Sequence, residues 1–264
     1  MTTRLGAVSY LNTRPLVFAL ERNPATFALR YSVPAHCAAD LASGSTDVGL
    51  IPSIEYARSA EPYCIAPGVA IGTRGVVHTV RLYHRGDLRR IEKVALDLSS
   101  RTSAALVRIV LREKFGLDPR FVDAAPNLDA MLDSADAALL IGDPVFAVAE
   151  GRYPSIDLGA EWVELTKLPF VFAFWAGRPG ALAPGQVRAL IEAKDEGVEH
   201  IDEIALGYSR ECGGDPSLYE RYLRQHIHFD LDAAAVEGLR TFLAMAYAHR
   251  LIAAVPELRF YPGE

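Results

Sequence analysis

Three loops carry the residue types that hold small anions. Ser9-Tyr10-Leu11-Asn12-Thr13 falls between an apolar run and a helical pattern. Backbone N–H groups lack partners at such a junction, and the Asn12 amide adds donors and an acceptor. Asn12 or Thr13 could equally be a helix N-cap, and spacing leaves the two readings balanced. Ser99-Ser100-Arg101-Thr102-Ser103 gathers four hydroxyls and a guanidinium between a strand-like run and an apolar helix. One N-cap accounts for one hydroxyl, not four, so a carboxylate held against the helix dipole is favoured. Gly142-Asp143-Pro144 closes a third apolar run, and there a capping role for Asp143 is the simpler reading.

Other chemistries lack their signatures. The chain has no G-x-x-x-x-G-K-[ST] loop, no G-x-G-x-x-G after a strand, no H-E-x-x-H and no G-x-S-x-G. His226 and His228 would share a face of a strand, but no third ligand accompanies them, so loop histidines are expected and no metal. Cys37, Cys64 and Cys212 are odd in number and far apart, which fits reduced, half-buried thiols rather than disulfides or zinc. The net charge of −6 argues against nucleic-acid or anionic-membrane partners. No apolar run reaches the roughly 18 residues of a membrane span, and Met1-Thr2-Thr3-Arg4 begins no secretory leader, so a cytoplasmic protein is expected.

The elements around the loops read as α/β. Strands are expected at Leu5–Tyr10, Tyr31–Val33, Val48–Ile51, Tyr63–Ala66 and Val69–Ile71, interleaved with helices at Thr13–Leu20 and Pro34–Ser43 and one beginning at Pro52. A second set follows the alternating run Val76–Tyr83: Lys93–Asp97, the helix Thr102–Phe115 stopped by Gly116, and Ala137–Ile141. Phe170–Trp175 is a last strand-like run, and from Pro184 onward the pattern is helical. If Val76–Tyr83 and Phe170–Trp175 are both crossovers, lobe one is 1–80 plus 175–264 and lobe two, 81–174, is inserted into it. A cleft between the lobes would then be lined by strand C-termini and helix N-termini, where open α/β sheets take ligands.

At these loops the chain resembles the chorismate dehydratase family of the futalosine route to menaquinone. The resemblance begins at Gly6-Ala7-Val8-Ser9-Tyr10-Leu11-Asn12-Thr13-Arg14-Pro15-Leu16 and continues through Asp47–Glu55, the 97–103 loop, Leu139–Asp143 and Leu168–Trp175. It implies a two-lobed fold of the type II periplasmic binding protein kind, with two crossover strands. The implied reaction is loss of water from chorismate to give 3-[(1-carboxyvinyl)oxy]benzoate, a hydro-lyase step without metal or organic cofactor. Asn12 and Thr79 take the catalytic positions in this reading; Thr79 stands where the family tends to carry a small hydroxyl residue. Ser9, Tyr10, Ser99, Ser100, Arg101, Thr102, Ser103 and Asp143 are the expected substrate contacts. The matched loops contain no histidine, so the base is either Glu55 or Asp143 or, as favoured here, the substrate's own enolpyruvyl carboxylate. The paralogue that makes 1,4-dihydroxy-6-naphthoate is set aside, because its start resembles Ser-Pro-Cys-Pro-Asn-Asp. A non-catalytic small-anion-binding protein would share the fold and loops, and nothing here specifies an oligomeric state.

Overall fold

The computed structural model describes residues 2–263. In chain order the first elements are β1 (Thr3–Val8), α1 (Arg14–Arg22), β2 (Phe27–Ser32), α2 (Pro34–Ser43), β3 (Val48–Pro52), α3 (Ser53–Arg58) and β4 (Cys64–Thr73). Next come β5 (Val80–His84), β6 (Lys93–Asp97), α4 (Thr102–Phe115), β7 (Arg120–Ala124), α5 (Leu128–Ser134), β8 (Ala137–Ile141), β9 (Ser155–Asp157) and α6 (Leu158–Thr166). The chain ends with β10 (Phe170–Gly177), α7 (Pro184–Glu199), α8 (Ile201–Cys212), α9 (Pro216–Arg221) and α10 (Ala233–Ala248).

Two five-stranded sheets result, ordered β2-β1-β3-β10-β4 and β7-β6-β8-β5-β9. Each has a parallel part built by βα units and an antiparallel part where the chain arrives from the other sheet. Local signals set many boundaries. Pro34 begins α2 and Gly44, at φ 76°, ends it; Gly116, at φ 67°, ends α4. Every residue of β3 and of β8 is buried, the pattern of a strand covered on both faces.

Two expectations need correcting. Tyr63–Ala66 and Val69–Ile71 are one strand, β4; Gly68 at φ 75° and register shifts opposite β10 absorb the Pro67-Gly68 interruption. Phe170–Trp175 is not a crossover but lies wholly within the first sheet, antiparallel to β3 and β4. The physical reason is aromatic packing: Phe170 stacks edge-on to Trp162 and Phe242, and Phe174 to Tyr56. The Val76–Tyr83 run likewise pairs only from Val80 onward.

The chain therefore passes between sheets just after β4 and just before β10. Both passages hold a non-glycine residue in the left-handed region, His78 at φ 69° and Lys167 at φ 62°. Such a conformation persists only where its surroundings enforce it. Buried Asp157 does so at the first passage, accepting from the backbone N–H of Val77 (3.0 Å) and His78 (2.7 Å). The same carboxylate caps α6 through Gly159 and Ala160, and Trp162 of that helix donates to the Pro169 carbonyl at 3.2 Å. Gly238 of α10 lets this carbonyl approach; a Cβ there would sit 2.0 Å from it. Both passages are thus tied to α6.

Among the described residues no helix is long and apolar enough to cross a membrane. Of the three free cysteines only Cys64 is half-buried; Cys37 is buried and Cys212 exposed.

Candidate active site

Between the sheets lies a narrow cavity of about 70 Å³. Strand ends, helix starts and the first passage line it. Asn12, Thr79, Ser100, Arg101, Thr102 and Ser103 all reach it, with the ring of Tyr10 and the apolar walls Val77, Ile141 and Phe172. Ser9, Ser99 and Asp143 are not on its lining.

Asn12 sits in a short 3₁₀ turn, Leu11–Thr13, and α1 is capped by Thr13 without any side-chain bond. Neither residue is a side-chain cap. Asn12 Nδ2 donates instead to the hydroxyl of Tyr222 at 3.2 Å, and Tyr222 Oη lies 2.8 Å from Thr79 Oγ1. Tyr222 is fully buried, and burial pushes its hydroxyl well above the ordinary phenol value, so it keeps its proton. That proton needs an acceptor, and Thr79 Oγ1 is the one in place. Thr79 is left with its own hydrogen free to point into the cleft.

The hydroxyl loop divides its labour. Ser99 Oγ donates to Asp97 at 2.7 Å, so the 3.0 Å contact with Tyr10 is a bond donated by the tyrosine. Burial raises Tyr10 to about 12, which keeps it a neutral donor. Burial also raises Asp97, against the bonds it accepts from Ser99. Thr102 Oγ1 accepts from Ile54 N (3.3 Å) and lies 3.4 Å from Ser53 Oγ, joining the starts of α3 and α4 across the cleft. Ser100 is buried and its Oγ has no hydrogen-bond partner among the described residues. The N-cap of α4, Arg101, makes no side-chain cap bond. An unpaired hydroxyl, a guanidinium and the uncapped start of a four-turn helix converge here, which is a place for a carboxylate.

Asp143 is not the cap of the turn it begins. Its carboxylate accepts from Leu11 N, 3.1 Å to each oxygen, and from Tyr208 Oη at 2.6 Å. It is an interlobe latch, and burial raises its carboxyl above the usual range. Gly142 beside it has φ 67°, and a Cβ there would lie 2.6 Å from the Tyr10 ring. Gly142→Ala is therefore expected to lose about 1–3 kcal/mol to backbone strain and to push Tyr10 off Ser99. Gly86→Ala, at φ 71° with open space around it, is the matched control. Thermal unfolding should show the larger loss at position 142; equal losses would mean that the Tyr10 contact is immaterial.

Glu55 turns away from the cleft, paired with Arg58 at 3.0 Å in a separate surface hollow. Among the described residues no three His, Cys, Asp or Glu are placed to hold a metal ion. Tyr222 and Tyr208 were not foreseen. Both lie in the C-terminal helical tail, and no local pattern links Tyr222 to partners 143 and 210 residues away.

A family model described as menaquinone biosynthesis matches residues 3–248. The chain belongs to that family. Within reach of it, the chorismate dehydratase of Thermus thermophilus is 31% identical over 256 residues, covering 90% of this chain and 93% of that protein. A crystal structure of an Archaeoglobus fulgidus protein superposes with TM-score 0.78 at 19% identity, covering 95% of this chain and 98% of that one. The alkanesulfonate-binding protein of Xanthomonas axonopodis, bound to MOPS, superposes with TM-score 0.69 at 19% identity, covering 97% and 94%. These two likenesses fix the fold, that of the periplasmic binding proteins.

Proposed function

We propose that the cleft dehydrates chorismate to 3-[(1-carboxyvinyl)oxy]benzoate, the entry step of the futalosine route to menaquinone, acting in the cytoplasm. The reading rests on family membership and on one feature of the cavity. Among the described residues its lining has hydroxyls, one amide and one guanidinium, but no carboxylate, imidazole or amine. A protein base is missing where a dianionic substrate would lie, while donors for its charges are present.

In this proposal the ring carboxylate sits against Ser100, Arg101 and the first turn of α4. There the fixed N–H dipoles and the cation stabilise the charge that flows into it as the ring C–H bond breaks. Asn12 orients the enolpyruvyl carboxylate over that hydrogen, and the carboxylate takes the proton. Thr79 donates its free hydrogen toward the departing hydroxyl. The C–O bond breaks, the ring becomes aromatic, and the proton and hydroxide leave as water. Tyr222 is a positioning residue, since it acts through Asn12 and Thr79.

Incubating the protein with chorismate tests this directly. The expected result is a new aromatic absorbance and a product lighter by one water. Chorismate returned unchanged from a tight complex would make the protein a binding protein and overturn the enzymatic reading.

A further inference from the structure

Tyr222 also lines a second and larger cavity, of about 610 Å³, which shares no lining residue with the cleft. His78 of the first passage, Arg81 of β5, Phe146, and Arg221 and His226 of the C-terminal tail surround it. The rings of His78 and His226 stack at 5.7 Å, and Phe146 lies 5.1 Å from the Tyr222 ring. His226 Nδ1 bonds the Val76 carbonyl at 3.2 Å, which leaves its other nitrogen for the cavity.

The charge in this cavity is unbalanced. Arg81 Nε is buried and has no hydrogen-bond partner among the described residues. Among the described residues neither Arg81 nor Arg221 enters an ion pair. The one carboxylate on the lining is exposed Glu150. His78 is held below its ordinary value by burial, then by the Arg81 and His226 charges and more weakly by Arg221, with Asp157 pulling the other way. Arg81 of the second sheet keeps an unused buried donor facing this cavity and Arg221 of the C-terminal tail faces it too, so an oxyanion between them takes up that donor and offsets both charges.

We propose that this cavity is a second binding site, for a small anion with a carboxylate or phosphate on an aromatic ring. The guanidiniums bind the oxyanion and the His78, Phe146 and Tyr222 rings pack its aromatic part. The volume suits one such molecule. Its occupant bridges the second sheet and the C-terminal tail and rests on Tyr222, which orders Asn12 and Thr79, so the cleft can be regulated from here. The site stands on its own lining and does not depend on which reaction the cleft performs.

Calorimetric titration with benzene-1,3-dicarboxylate, phenyl phosphate and inorganic phosphate tests the site, the three probes separating carboxylate, ring phosphate and phosphate alone. At least one ring-bearing probe is expected to bind with one-to-one stoichiometry. Arg81→Gln and Arg221→Gln should each weaken it about tenfold or more, the loss of a charge-assisted bond. Ser100→Ala, in the cleft, should leave that affinity unchanged. Arg221 is exposed on the end of α9, so its variant carries the test if Arg81→Gln fails to fold. No binding at 10 mM probe, on the order of the weakest useful affinity, would overturn the proposal. So would unchanged binding in the Arg221 variant, or loss of binding in Ser100→Ala.

Discussion

Asn12→Asp is expected to lower kcat/KM for chorismate by about 10²–10³, the range seen when a donor to developing charge is removed. The substitution reverses a bond. Asn12 Nδ2 now donates to Tyr222, which leaves the tyrosine proton for Thr79. A carboxylate at position 12 would instead accept that proton, turning Tyr222 away from Thr79. It would also set a negative charge beside a substrate carboxylate in a cavity where, among the described residues, Arg101 is the one lining cation. Repulsion and lost orientation act together. Stability should barely change, because Asn12 caps nothing and α1 starts without any side-chain bond. Asn12→Ala should bind substrate better than Asn12→Asp, since it adds no charge, yet turn over slowly because the carboxylate is no longer aimed. Unfolding midpoints and steady-state rates on the two variants are the measurements. A fully active Asn12→Asp enzyme would remove Asn12 from the mechanism.

What the chain reveals before folding depends on how local the cause is. Pro34 with Gly44, and the apolar strands Lys93–Asp97 and Ala137–Ile141, are decided by neighbours in sequence, and their places were legible. The interruption at Pro67-Gly68 misled because a bulge opposite β10 repairs it, and β10 lies about a hundred residues further on. The edge strands β7 and β9 carried too little pattern to stand out from loops. At the site, the three loops were visible because helix starts after apolar strands advertise unpaired donors. Their wiring was not. Asp143 looked like a cap until Leu11 and Tyr208 supplied partners from the other lobe, and Tyr222 acquires its meaning only from residues in two distant segments.

The second large effect is expected at Thr79. Thr79→Val keeps the shape and removes the hydroxyl, so the departing hydroxide loses its donor and kcat should fall about a hundredfold. KM should change little if Thr79 acts mainly on the leaving group. The same substitution strands the buried Tyr222 hydroxyl, whose proton then has no acceptor in place, at a cost of about 1–3 kcal/mol. A drop in rate alone could therefore come from a disturbed tail. The double variant Thr79→Val with Tyr222→Phe separates the two causes. Removing the stranded hydroxyl should restore much of the stability, because an apolar pair is tolerated where half a polar pair is not. It should not restore turnover, because position 79 then has no hydroxyl to donate toward the cleft. Thr79→Ser, which keeps the hydroxyl, should retain most of the rate. Recovery of activity together with stability in the double variant would make Thr79 a packing residue and send the search for the leaving-group donor to Ser100 and Ser103.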